Sequence, residues 1–101
     1  MADVVQHDEK GGRGEFFIER NGVRVAEMTY RRIDPATVLV DHTEVDVSLR
    51  GGGVARQLLD AAVSWARDNA IKIDATCSYV VAQFVRDKSL RDVNARSVGG
   101  A

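Results

Sequence analysis

The sequence predicts an α/β (α+β) domain built from an antiparallel β-meander, a glycine loop, a helix, a parallel-paired strand and a short C-terminal helix. Three observations predict it. Asn21-Gly22 separates two runs of strand-like alternation, Arg50-Gly51-Gly52-Gly53 stands where a strand period gives way to a helical one, and a short apolar run follows that helix. The scale agrees: 101 residues, 45% apolar and 29% charged with a single Pro, describe one ordinary globular domain, too short for a two-domain dehydrogenase, a kinase or a barrel enzyme.

Residues 1–13 mix charges and glycines without periodicity and are expected to form a flexible lead-in; His7 falls within them as an incidental residue. The domain proper spans 14–93, and residues 94–101, ending Val-Gly-Gly-Ala, are expected to be a flexible tail. Residues 15–20 form the first strand. Asn21-Gly22 turns it, because both central positions of a type I′ turn need positive φ. Residues 23–32 form the partner, whose alternation changes phase near Ala26-Glu27, the mark of a bulge or an edge. After a turn at Asp34-Pro35, residues 37–47 form a long β-branched strand with Val38, Val40, His42, Glu44 and Asp46 on one face and Leu39, Asp41, Thr43, Val45 and Val47 on the other.

From Val54 the apolar positions Ala55, Leu58, Leu59, Ala62, Trp65 and Ala66 fall on one helical stripe, with Asn69 as the C-cap. Residues 71–76 form a buried strand closing a strand–helix–strand crossover, hence parallel to 37–47. The run from Tyr79 to Val85 predicts a second, short helix.

Composition excludes several function classes. Lys+Arg 14 against Asp+Glu 15 leaves a net charge of −1, which gives no general attraction to nucleic acid or an anionic membrane. One Cys forms neither an internal disulfide nor a zinc site, and no metal is expected. No stretch has the length of a membrane span and the N-terminus lacks the apolar region of a signal peptide, so the expected location is cytoplasmic.

The informative segment is Arg50-Gly51-Gly52-Gly53-Val54-Ala55-Arg56. Consecutive glycines admit a ligand close to the backbone, and the first helical turn presents unpaired N–H groups at the positive end of the helix dipole. Such a turn suits a phosphate or diphosphate, with Arg50 and Arg56 flanking it. A P-loop is excluded, since Gly-Lys-Ser/Thr is missing; the dinucleotide fingerprint is also poorly matched, because Arg56 stands where its third glycine belongs.

Arg50-x-x-Gly53-x-Ala55, after a long strand and opening a helix, resembles the coenzyme A diphosphate signature of the GNAT acetyltransferase superfamily. His42-Thr43-Glu44-Val45 before the loop and Cys77-x-Tyr79-Val80 after the next strand are similar to a minimal, single-domain GNAT-like family, as is the hairpin with Ala26 and Tyr30. The resemblance covers residues 14–93, with one departure: Asp87-Lys88-Ser89 stands where the family carries a His-Pro-Glu-like step. It implies an N-acetyltransferase-like protein that binds acetyl-coenzyme A, with the pantetheine arm along the backbone of Val45 to Val47 and the diphosphate at Arg50, Gly51, Gly52, Gly53, Val54, Ala55 and Arg56. The adenine-side phosphate falls to Arg56 or to a C-terminal basic residue.

Acetyl transfer needs a neutral amine, a polarised thioester carbonyl and an acid for the departing thiolate. His42 and Glu44 are the candidate bases, a backbone N–H near Val45 the candidate polariser, and Cys77 is either an acyl-accepting nucleophile, activated by a neighbouring His42, or a lining residue. The acceptor is an amine of unidentified kind, on a small molecule or a protein lysine. Two other classes compete: a non-catalytic coenzyme A-binding or protein-interaction module, and a dinucleotide-dependent redox fragment.

Overall fold

The computed structural model describes residues 4–96. Its elements in chain order are β1 (Gln6–Lys10), β2 (Arg13–Arg20), β3 (Val23–Asp34), β4 (Thr37–Val45), α1 (Val54–Asp68), β5 (Lys72–Ala75) and α2 (Ser78–Arg86), with short 3-10 turns at Val47–Leu49 and Lys88–Leu90. The strands form one five-stranded sheet in sequence order, antiparallel from β1 to β4 and parallel between β4 and β5. The predicted class and its parallel crossover are therefore observed.

Both tight turns are written in their dihedrals. Asn21 and Gly22 have φ 52° and 78°, the left-handed pair that a two-residue hairpin requires. Gly11 and Gly12, at 63° and 79°, do the same between β1 and β2. That second hairpin corrects the expected flexible lead-in: Gln6–Lys10 pairs along its length with β2. His7 is not incidental. Its ring stacks on Phe16 at a centroid distance of 4.1 Å, and His7 Nε2 and Tyr30 Oη share a hydrogen bond of 2.6 Å.

The expected tail is likewise tied down in its first residues. Asn94 bridges Ile73 in parallel, Ala95 N–H donates to Ile73 O at 2.9 Å, and Arg96 Nε donates to Asp74 Oδ1 at 2.7 Å. The remainder of that tail, 97–101, lies outside the described residues.

The core sits between the sheet and the helices. Ile18, Met28, Tyr30, Val38, Val40 and Ile73 of the strands meet Leu58, Leu59, Ala62 and Ala66 of α1 and Val80 of α2. Helix α1 ends at Asn69, as expected, whose Nδ2 donates to Trp65 O at 2.8 Å.

Bulges set which face each residue of the site takes. The phase change expected at Ala26-Glu27 is one residue earlier: Ile18 pairs with Ala26 and Glu19 with Arg24, which leaves Val25 unmatched. On β4, Thr29 pairs with His42 and Tyr30 with Val40, so Asp41 is the extra residue, and its Oδ1 accepts from Thr29 Oγ1 at 2.7 Å. The consequence is a correction to the alternation read from the sequence. Val40 faces the core with Tyr30; beyond the bulge it is Thr43 and Val45, paired with Met28 and Ala26, that face it, while His42 and Glu44 turn to the opposite face with Thr29 and Glu27.

Candidate active site

Strands β4 and β5 pair only as far as Val40 and Ala75. Val40 O accepts from both Thr76 N–H (3.0 Å) and Cys77 N–H (3.3 Å), and beyond it β4 has no partner strand on that side among the described residues. The ladder on the other side decides which groups are left. Asp46 N–H donates to Val25 O at 2.8 Å, which makes Ala26–Val45 a non-hydrogen-bonded pair. The amide and carbonyl of Val45 therefore turn away from β3, towards the gap that β5 vacates. Arg50 Nε donates to Val45 O at 3.1 Å, leaving the Val45 N–H for a ligand.

Val47 does not extend this edge. The strand stops at Val45, and Asp46 caps a 3-10 turn by accepting from Ser48 N–H (3.0 Å) and Ser48 Oγ (2.7 Å). Those bonds, the hydroxyl's first, hold the Asp46 carboxyl below its ordinary range. Val47 stands exposed within the turn and its carbonyl accepts from Arg50 N–H, so the expected role of its backbone as a ligand edge is lost.

Gly51 and Gly53 take φ of 84° and 81°, in the left-handed region, and a Cβ on either would project into open space. Gly53 is the N-cap of α1 and contributes no side-chain cap, so the N–H groups of Val54, Ala55 and Arg56 have no capping partner; the ladder begins with Gln57 N–H to Gly53 O at 3.1 Å. The loop and this turn form one wall of a cleft of about 630 Å³. Val45, Leu49 and Arg50 line its floor, and Tyr79, Gln83 and Arg86 of α2 line the far side. Of the expected coenzyme-binding residues, Val45, Arg50, Gly51, Gly53, Val54, Ala55 and Arg56 all line this cleft.

Arg56 is there for a different reason than expected. Its Nε donates to Asp60 at 2.8 Å, and its two terminal nitrogens donate to Gln83 Oε1 at 2.7 Å and Asp87 Oδ2 at 2.5 Å. These bonds, that to Asp87 first, raise the guanidinium pKa further and occupy its fork; the residue ties α1 to α2. Asp87 also accepts from Ser89 Oγ and Ser89 N–H, and with the Ser89 and Arg56 bonds its carboxyl is pulled down to about 2. Asp87-Lys88-Ser89, the segment departing from the family pattern, is thus a capped 3-10 turn that anchors the end of α2.

His42 and Glu44 share one face, as expected, but it is the face opposite Val38 and Val40, with His42 Nε2 3.2 Å from Glu44 Oε2 at an exposed position. Cys77 is not beside His42. It is the N-cap of α2, half-buried, and its Sγ donates to Thr43 Oγ1 at 3.3 Å, on the face opposite His42. The bulge at Asp41 is the cause, because it sends neighbouring residues 42 and 43 to faces the simple alternation had exchanged. Tyr79, which the sequence places in the second helix and in the Cys77-x-Tyr79-Val80 resemblance without assigning it a role, lines the cleft, and burial pushes its phenol above the ordinary range. Its spacing of two from Cys77, across the start of α2, was the available signal. Among the described residues no group of three His, Cys, Asp or Glu side chains is arranged to hold a metal ion, and no helix is long and apolar enough to cross a membrane.

Known proteins resemble this chain in sequence and in fold. Protein NATD1 of Xenopus tropicalis is 33% identical over 87 residues, 85% of this chain and 77% of its own length. The solution structure of a GCN5-like protein from Staphylococcus aureus superposes with a TM-score of 0.70 at 34% identity, covering 88% of this chain and 86% of the other. A GNAT family acetyltransferase from Elizabethkingia anophelis, with acetyl-CoA bound, shares the fold with a TM-score of 0.59 at 14% identity, over 74% of this chain and 52% of the other. Residues 15–93 match the family model described as GCN5-related N-acetyl-transferase. With the sheet that splays after Val40, the left-handed glycine loop and these similarities in hand, the chain belongs to the GCN5-related N-acetyltransferase family.

Proposed function

We propose that this protein binds acetyl-coenzyme A in the cleft between the Gly51–Gly53 loop and α2 and transfers the acetyl group to an amine. The observation that carries the reading is the conjunction, in one cleft, of the uncapped first turn of α1 and the outward-turned amide of Val45. The residues fit such a ligand. The amides of Val54, Ala55 and Arg56 and the side chain of Arg50 are donors for a diphosphate, glycines leave the approach open, and the free edge of β4 offers strand-like hydrogen bonds to an amide-bearing arm. The bound acetyl-CoA of the Elizabethkingia anophelis relative supports the same cosubstrate here.

The cosubstrate supplies an acetyl group already activated as a thioester. This chain's residues handle the protons. Val45 N–H is the donor available to polarise the acetyl carbonyl, His42 with Glu44 takes the proton released by the attacking amine, directly or through water, and the neutral Tyr79 phenol has a proton to give the departing thiolate. Direct attack by the amine is favoured over an acyl-Cys77 relay, since Cys77 Sγ donates to Thr43 Oγ1 on the face opposite His42. Hydrogen bonding to Thr43 makes Cys77 a wall of the splay rather than its nucleophile.

Thermal unfolding with acetyl-coenzyme A, coenzyme A and NAD tests the reading. A ligand at 100 times its Kd adds about 2.7 kcal/mol, which moves Tm by roughly 10 °C in a domain of this size. Acetyl-coenzyme A and coenzyme A are expected to give that shift and NAD none. Thiol release over a panel of primary amines then separates the two remaining readings: His42→Ala and Glu44→Gln keep the Tm shift and lose turnover if the protein is a transferase. Binding without turnover of any amine by the unaltered protein returns it to a coenzyme A-binding module.

A further inference from the structure

The cleft ends where two side chains meet. Its lining stops at Val45 on β4 and at Tyr79 on α2. Two residues further towards the joined strands, on either side, stand Thr43 and Cys77, and Cys77 Sγ donates to Thr43 Oγ1 at 3.3 Å. The pair spans the splay before β4 and β5 close on each other at Val40 and Ala75. Both of its ends are fixed. Thr43 is paired with Met28 in the sheet. Cys77 is pinned through its N–H to Val40 O at 3.3 Å and through its carbonyl, which accepts from Val81 N–H at 3.1 Å.

A diphosphate at the first turn of α1 and a thioester carbonyl at Val45 N–H together fix a direction. The donor enters from the C-terminal end of β4, and its acyl group comes last, heading for Thr43. Two residues of strand cover about 7 Å, of which about 4 Å is the contact distance between carbon atoms. About 3 Å remains, room for a methyl group and little more. We propose that the Thr43–Cys77 pair is the end wall of the acyl site and restricts the donor to short acyl groups, acetyl in preference to butyryl and longer chains. This rests on the reading that the cleft binds acetyl-coenzyme A and specifies which acyl donors it admits. Steric exclusion does the selecting rather than the hydrogen bond, because an alkyl chain has nothing to exchange with either heteroatom.

The test is calorimetric titration of the full chain with coenzyme A and with its acetyl, butyryl and hexanoyl thioesters. A surplus methylene in a closed pocket costs about tenfold or more, so the unaltered protein is expected to bind butyryl-coenzyme A at least about tenfold more weakly than acetyl-coenzyme A. Cys77→Ala removes the sulfur without loss of a cap, since the side chain makes no capping bond to α2, and is expected to bring that ratio close to one. Thr43→Ala opens the same wall from β4 and is expected to do likewise, so each variant carries the test without the other. Thr43→Val keeps the shape of the wall without its hydroxyl and is expected to keep the ratio of the unaltered protein. An unaltered protein that binds the acetyl and butyryl thioesters alike overturns the assignment, as does a preference that survives in both alanine variants or disappears in Thr43→Val. Failure of the unaltered protein to bind any of the four ligands overturns the coenzyme A reading itself, a result distinct from the others.

Discussion

At the scale of single residues, two glycines hold positions for opposite reasons, and the difference is measurable. Gly53 has open space around it and a left-handed φ, so Gly53→Ala meets no clash but takes on a backbone conformation costing about 1–2 kcal/mol. Its added methyl also stands in the approach to the α1 amides. The expected outcome is a modest fall in Tm with a larger loss of coenzyme A affinity, read by unfolding and titration on the same protein. Gly14 is the reverse case. It lies opposite Tyr30 in the register, and a Cβ there would overlap the Tyr30 ring. Gly14→Ala is expected to destabilise by about 1–3 kcal/mol as the ring is pushed from a fully buried position, with the cleft's affinity for ligand unchanged once the protein is folded. Gly53 was legible in the sequence because a glycine loop between two periodicities announces itself. Gly14 was not, since its reason is a ring sixteen residues away in sequence, brought over it by strand pairing.

At the scale of elements, β1 shows what a sequence pattern hides. Its burial is uniformly low, so Gln6–Lys10 carries no apolar alternation to read; its pairing is held by the Gly11-Gly12 turn, by the His7–Phe16 stack, and by Arg32 gripping Glu9 at 2.5 and 3.0 Å. Burial lowers the His7 pKa from 6.5, against the opposing pull of Glu9 and Asp8 and with help from Arg32. The sign follows: the unfolded chain takes up the proton at higher pH than the folded one does, so this contribution to stability is present above about pH 6.5 and is lost as pH falls through the folded value. His7→Phe keeps the stack and removes the titration. Between pH 7.5 and 5.5 the unaltered protein is expected to lose more Tm than His7→Phe. Equal losses in the two would deny His7 that role. By contrast α1 was legible nearly to the residue, because an amphipathic stripe with an Asn cap is a local signal and its buried set includes Leu58, Leu59, Ala62 and Ala66.

At the scale of the whole molecule, stability is distributed unevenly about the cleft. Helix α1 buries six residues, while α2 buries Val80 alone and leaves Val81 and Val85 exposed; α2 relies on the Arg56 bonds to Gln83 and Asp87. Native-state hydrogen exchange is expected to show α2 opening well before α1 and the central strands, and Asp87→Asn to hasten α2 alone. Apart from β1 the fold was legible, since the other elements announced themselves locally and the parallel crossover followed from their order. The site was legible only in part: motifs placed its residues along the chain, but the Asp41 bulge, which has no sequence mark, decided their faces. That bulge makes the far half of β4 a matter of parity. With one residue too many, odd positions beyond it look inward and even positions outward; removing Asp41 would let His42 follow Val40 directly opposite Thr29 and Tyr30, a plain ladder in which every survivor keeps its own side. Removing Asp41 and His42 together would instead turn Glu44 towards the core and Thr43 and Val45 into water, so the longer deletion is the more damaging one.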